Sequence, residues 1–166
     1  MQSNNIEKVI RIIMSNRYMS IATSLEEQPW VAPVFYATDK LFNFYFISAK
    51  DALHCLHIEQ NSKVAISIYN SQEPPEIVDG VQIAGFAEML TSRNLKQAIE
   101  IVYRKRFPDP EERARHSKST EDFLNISRRR LFQVTPTHIY TLDLSVAESD
   151  SRIEVDLESL RRYQAG

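Results

Sequence analysis

Hydrophobic positions along this chain recur first at helical spacing and then in alternation. Near the N-terminus Ile6, Val9, Ile10 and Ile13 fall at i, i+3, i+4 and i+7, one face of a helix laid on a core. Asn4 stands where an N-cap belongs, with Glu7 three residues on. Tyr18 to Thr23 and Trp30 to Thr38 are dense in apolar, β-branched and aromatic residues, and the polar stretch from Leu25 to Pro29 between them predicts paired strands. After Asp39-Lys40 a further strand is predicted from Leu41 to Ser48. Its alternation puts Phe42, Phe44 and Phe46 on one face and Leu41, Asn43, Tyr45 and Ile47 on the other.

Ala49 to Gln60 reads as a short helix with Ala52, Leu53 and Leu56 on its apolar stripe, followed by a strand from Val64 to Tyr69. Asn70 to Gly80, with two prolines and three acidic residues, reads as an exposed loop, and Val81 to Leu90 as the next strand. Leu95, Ala98, Ile99, Val102 and Tyr103 mark a helix from about Asn94 to Arg106, stopped by Pro108 and Pro110. The charged stretch from Asp109 to Thr120 reads as mobile, and Thr120 as the cap of a short helix through Ile126. Leu131 to Val134 and His138 to Leu144 read as two last strands broken by Thr135-Pro136. Residues 1–145 are expected to form one domain and 146–166 a peripheral tail, in which Ile153, Val155, Leu157 and Leu160 can pack on a partner.

Six or seven short strands with few helices between them predict a mainly β chain, an antiparallel barrel with peripheral helices, and not a parallel doubly wound sheet. The 166 residues, 43% of them hydrophobic, suffice for one self-supporting core. With 8 Phe and 7 Tyr against 3 Gly, aromatic packing on strands is favoured. No Gly-rich strand-to-helix loop is present, which argues against dinucleotide and P-loop sites.

A net charge of −2 from 20 basic and 22 acidic residues implies no bulk attraction to nucleic acid or an anionic membrane. No apolar run approaches the roughly 20 residues of a membrane span. The single cysteine, Cys55, cannot form an internal disulfide, and no signal-peptide pattern opens the chain, so a reducing, cytoplasmic setting is expected.

His54 and His57 lie three apart beside Cys55, but two such ligands do not fill the four positions of zinc, and no metal site is expected. Exposed histidines on an amphipathic helix are the ordinary explanation. Arg104-Lys105-Arg106 and Arg128-Arg129-Arg130 read as solvated basic faces, or as groups meeting an anionic substrate or a partner's cofactor. Neither a Ser-His-Asp order nor paired carboxylates point to hydrolysis.

VAPVFY on one strand, FYFIS ending the next, a helix running to Asn61-Ser62, GVQIAGFAE on a later strand and LFQVTPTHIYTLD near the end occur in this order between Tyr18 and Asp143. Together they resemble the FMN-binding split β-barrels related to pyridoxamine 5'-phosphate oxidase, and VYRKRFP resembles a bacterial subgroup of that superfamily. The resemblance implies an antiparallel Greek-key split barrel, homodimeric, with FMN at the subunit interface and an oxidoreductase reaction on a small molecule.

It places the flavin ring against the backbone of Ala32, Pro33, Val34 and Phe35. Backbone amides suit an isoalloxazine ring, which needs edge hydrogen bonds and an apolar face; the plain alternative is a buried strand. Ile47 and Ser48 close the next strand, where the family has a Thr or Ser at the phosphate end; Ser48 can instead only cap the helix. The family's Arg-Lys pair in this helix falls on Leu53 and His54, so Lys50, a protonated His54, or an arginine of another subunit among Arg128 to Arg130 is expected to meet the phosphate. Gln82 either donates to the ring edge or faces solvent. Trp30 and Tyr36 are candidates to stack on a flavin or substrate. The alternatives from other classes are a haem-binding or haem-utilising split barrel, with His116 or His138 as axial ligand, and a cofactor-free binding or regulatory dimer.

Overall fold

A computed structural model describes residues 2–74, 79–91, 93–143 and 151–165 of the chain. Three strands rise and fall in sequence, β1 (Tyr18–Leu25), β2 (Gln28–Thr38) and β3 (Phe44–Ala49). Helix α2 (Leu53–Gln60) then carries the chain across to β4 (Lys63–Tyr69), which pairs with β1 and not with β3. This is the Greek-key step. β5 (Gly80–Met89) and β6 (Arg129–Leu142) follow, and β6 pairs with β3 to close a six-stranded antiparallel barrel in the order β3-β2-β1-β4-β5-β6. The barrel with its peripheral helices is the mainly β architecture expected.

Strand alternation separates two cores. Phe44, Phe46, Ile21, Ile66, Val81, Phe132 and Ile139 point into the barrel, and α1 (Gln2–Ser15) closes one side with Val9 and Ile13, both fully buried. On the outer face of β2, β3 and β6, α3 (Leu95–Arg106) lays Leu95, Ala98, Ile99 and Val102 over Ala37, Tyr45 and Leu131. Tyr36 faces inward, and its hydroxyl donates to the Ile13 carbonyl at 2.6 Å, which ties β2 to α1.

Several boundaries differ from the sequence expectation. α1 extends back to Gln2, so Asn4 and Glu7 lie inside it and Asn4 is not its cap. β3 begins at Phe44 because Asp39 organises the preceding turn: its carboxylate accepts from the amides of Leu41 and Asn43, the Asn43 side chain and the Tyr45 hydroxyl. Phe42, fully buried, takes φ 61° in that turn, a conformation that a bulky side chain tolerates only when its surroundings hold it.

The charged stretch after α3 folds into α4 (Pro110–His116). Asp109 caps it by accepting from the Glu112 amide at 2.8 Å, with Pro110 at the first position and Glu111 and Glu112 in the first turn. Thr120 does not cap the next element, a π-helical turn over Asp122–Ile126; Ser119 and Asp122 hold each other there instead. The loop predicted from Asn70 to Gly80 is described only at its ends, residues 75–78 lying outside the described residues. Residues 144–150 also lie outside them, with the predicted end of the last strand at Leu144 and the start of the tail. Beyond, β7 (Arg152–Glu154) pairs with β6, and Val155 and, in α5 (Leu157–Ala165), Leu160 are buried with the barrel core.

Thr135-Pro136 does not split β6. Proline lacks an amide for the ladder, and the register slips at Ala84/Gly85, where Gly85 faces Pro136 and Ala84 faces His138. A Cβ on Gly85 would stand 2.6 Å from the Thr135 carbonyl oxygen, whereas one on Gly80 meets nothing nearer than 3.4 Å. Gly85→Ala is therefore expected to cost about 1–3 kcal/mol through forced backbone displacement, and Gly80→Ala less than about 0.5 kcal/mol. Urea denaturation of the two variants checks this; equal midpoints would contradict it.

Candidate functional site

The junction of β3 and α2 holds a buried polar cluster. Ser48 Oγ lies 2.8 Å from His54 Nε2, and Thr23 Oγ1 lies 3.2 Å from His57 Nδ1. Both histidines are buried, with Cys55 and Ile58, while Leu53 and Leu56 are 43% and 40% exposed. Ala52 packs against the core as expected, but Leu53 and Leu56 turn outward, which overturns the rest of the expected stripe and the expectation of exposed histidines. Hydroxyls of β1 and β3 need partners at this end of the barrel, and imidazoles on α2 supply them; a leucine would leave them unsatisfied at a cost of about 1–3 kcal/mol each.

The nine residues expected at the cofactor divide by strand alternation. Ala32, Val34 and His54 are buried and Ser48 turns to His54, whereas Pro33, Lys50 and Gln82 are exposed and Phe35 and Ile47 half-buried. Tyr36, buried and bonded to Ile13, is unavailable for stacking; Trp30 is 45% exposed.

Two features make β2 open to a ligand. Its ladder with β3 covers only Tyr36 to Thr38, so Gln28 to Phe35 has a strand partner, β1, on one side only. The Tyr36 amide donates to Arg17 on the β1 side, and by alternation the backbone groups of Phe35, Pro33 and Val31 turn to the open side. Across the sheet, Pro33, Ser20, Ser67, Gln82 and Tyr140 stand in one register row, and Val31, Ala22, Ala65, Ala84 and His138 in the next. Their small side chains floor a trough of about 610 Å³ on the outer face, bordered by Val31, Gln82, Tyr140 and Arg152. Gln82 is three strands from Pro33, about 14 Å at 4.8 Å per strand.

Cations gather at the same end of the barrel. β6 enters opposite β3 with Arg130 facing Ser48 and Arg129 facing Ala49. Within one chain, two of the arginines expected to act from another subunit, Arg129 and Arg130, already stand beside Ala49 and Ser48. Arg128 pairs with Asp51, and its carbonyl accepts from the Lys50 amide; the Arg130 guanidinium turns to the carbonyls of Ser127 and Arg129. The Arg104–Arg106 run is no uniform solvated face. Lys105 lies half-buried with its ammonium 3.8 Å above the Tyr36 ring, and Arg106 and Arg17 each approach the Phe35 ring at 5.9 Å. Arg17 was not singled out from sequence, and Lys105 only as a member of its basic run. The available signal was Arg17 one residue before β1, level with the start of Phe35-Tyr36 in a hairpin.

The family model described as pyridoxamine 5'-phosphate oxidase matches residues 6–143. The chain belongs to the pyridoxamine 5'-phosphate oxidase family. Solved structures similar to this family member include a haem-binding protein from Mycobacterium smegmatis, 16% identical over 95% of this chain and 60% of that one, with a TM-score of 0.69. General Stress Protein 26 from Bacillus anthracis is 19% identical over 90% and 98%, TM-score 0.60. An FAD-binding protein from Mesorhizobium loti is 15% identical over 81% and 91%, TM-score 0.57. At these identities the likeness is one of fold, the split barrel of the family. No curated protein matches.

Electrostatics assigns different chemistry to the groups of this family member. Burial, then the neighbouring His57, holds His54 below its ordinary pKa, which disfavours the imidazolium expected at the phosphate. Burial raises the Cys55 thiol to about 11, which makes it unreactive. Burial, then Arg17, lowers the Lys105 amine to about 8. Lys50, exposed beside Ser48, is the cation on α2's approach. The described residues include no group of three or more His, Cys, Asp or Glu able to hold a metal, and no helix among them is long and apolar enough to cross a membrane.

The His54 shift has a stability consequence. Between the lowered folded pKa and the unfolded value near 6.5 the unfolded chain binds more protons, so stability is complete above about pH 6.5 and falls on acidification. His54→Gln is expected to flatten the dependence of the urea midpoint between about pH 7 and 5. An unchanged slope in the variant would show that His54 does not carry it.

Proposed function

We propose that this chain binds FMN and acts as a homodimeric oxidoreductase on a small molecule. The observation that carries the proposal is the open backbone edge of β2 from Gln28 to Phe35, lying between an apolar outer trough and a cationic strand end. Unpaired amides and carbonyls suit the hydrogen-bonding edge of a flavin ring, and Pro33 and Phe35 offer apolar surface. Lys50 and the Ser48 end of β3 would hold the phosphate. Bound FMN supplies hydride or single-electron transfer; the chain's own residues orient the ring, exclude water and neutralise the phosphate.

A second copy of the chain completes this reading. Gln82 stands about 14 Å from Pro33 in its own chain, too far to share a ring edge with it, but a two-fold axis over the trough would bring one copy's Gln82 toward its partner's β2. The floor of Ser20, Ala22, Ala65 and Ser67 lets another sheet approach closely, and Trp30, Val31 and Phe86 expose apolar surface on the same barrel. The haem alternative has less support. His138 spends its ring nitrogens on Thr137 and, at 4.0 Å, Glu154, and His116 stacks on Phe107.

Absorption bands of a bound flavin, with FMN held at least about tenfold more tightly than riboflavin, are expected of the purified protein. Lys50→Ala should close most of that gap and leave riboflavin binding unchanged. Ala65→Arg, charging the trough floor, should shift the protein to monomer in sedimentation and release FMN. A colourless protein that leaves FMN fluorescence unchanged refutes the flavin reading; a Soret band would replace it with haem.

A further inference from the structure

A second cleft lies on the far side of β3, away from the trough. α3, α4 and the π-helical turn enclose about 420 Å³ against the outward face of Ile47. Its wall is aromatic: Tyr103 and Phe107 stack with ring centroids 6.0 Å apart, and Phe107 and His116 at 4.8 Å and 16° between planes. Its rim is cationic, with Arg106, Lys118 and Arg129 all lining it. None of the three is within ion-pair distance of a carboxylate among the described residues. The one acid at the rim, Asp122, has its Oδ2 held by the amide and hydroxyl of Ser119, both at 2.8 Å.

We infer that this cleft is a binding site for a small planar organic anion, an aromatic ring bearing a carboxylate or phosphate. The aromatic wall offers apolar contact to a flat group, and three cations against the single carboxylate of Asp122 leave an excess of positive charge for an anion to neutralise. Two of them are arginines, whose planar forks match the oxygens of either anion. A neutral ring would leave that charge uncompensated, and inorganic phosphate would leave the wall unused. The site goes beyond the flavin reading: of the groups expected at the cofactor, only Ile47 and, from the Arg128 to Arg130 run, Arg129 border it, and the rest of its lining lies on or beside α3, α4 and the π-helical turn.

Calorimetric titration of the full chain with phenyl phosphate, inorganic phosphate and benzyl alcohol tests this. Phenyl phosphate is expected to saturate one site per chain, inorganic phosphate to bind more weakly, and benzyl alcohol not at all. Arg106→Ala and Arg129→Ala, both at exposed positions, should each weaken phenyl phosphate roughly tenfold with an unchanged melting temperature. His116→Ala should weaken phenyl phosphate and leave inorganic phosphate unaffected. Prior saturation with FMN should not alter the phenyl phosphate constant. No saturable binding of phenyl phosphate, or binding indifferent to both arginine substitutions, overturns the inference; strict competition with FMN overturns it too, by making the cleft part of the flavin site. The substitution arms stand whether or not FMN binds.

Discussion

Closure of the sheet through β3 and β6 governs the rest of this molecule. Phe46 and Phe132 are register partners across that seam, both fully buried, with rings 5.1 Å apart and nearly parallel. Joining them removes the exposed edges that an open six-stranded sheet would present. To reach β6, β3 parts from β2 after Phe46, and this leaves Gln28 to Phe35 with a single strand neighbour. The same ladder delivers Arg129 and Arg130 opposite Ala49 and Ser48. An open amide edge and a concentration of cations thus follow from one packing decision.

Helix α2 shows how the barrel end imposes its own rule on the helix that covers it. An apolar plug there would strand the hydroxyls of Thr23 and Ser48, and two imidazoles bond them instead. The exchange sends Leu53 and Leu56 outward. Neutral imidazole is tolerated inside because each ring has a hydrogen-bond partner; a charged one would incur a far larger desolvation cost. Burial thus favours the neutral form of His54, and the basic side chains near this end of the barrel are Lys50 before α2 and Arg129 and Arg130 on β6.

Much of the fold was legible because strand alternation is a strong local signal. VAPVFY, FYFIS, KVAISIY and GVQIAGFAE each lie within a strand, and Phe42, Phe44 and Phe46 are all buried. The errors fall where a side chain or a tertiary partner overrode local pattern. Asp39 delayed the start of β3 through four hydrogen bonds, and a bulge at Gly85 absorbed Pro136 so that β6 runs on. α4 was readable in principle, since Asp109-Pro110-Glu111-Glu112 is a complete helix start. Which face of α2 turns inward was not readable, because the partners of His54 and His57 lie on strands distant in sequence. The same holds for the site: spacing shows which residues share a strand, but not that β6 brings its arginines to Ser48 within one chain.

Charge segregation links these points. By count the chain is nearly neutral at −2, and a sum over residues predicts no preference for anions. In space, Arg17, Lys105 and Arg106 surround Phe35 and Tyr36, with Lys118 and Arg129 across the neighbouring cleft. Like charges held together raise the free energy of the empty protein; the Lys105 amine is lowered by burial first and by Arg17 second. Such an arrangement persists when rigid elements enforce it, here the barrel seam and α3, and the repulsion is relieved when an anion enters between the cations. A nearly neutral chain can in this way carry a locally cationic surface, on which Asp122 is the one acid lining the cleft that Arg106, Lys118 and Arg129 also line.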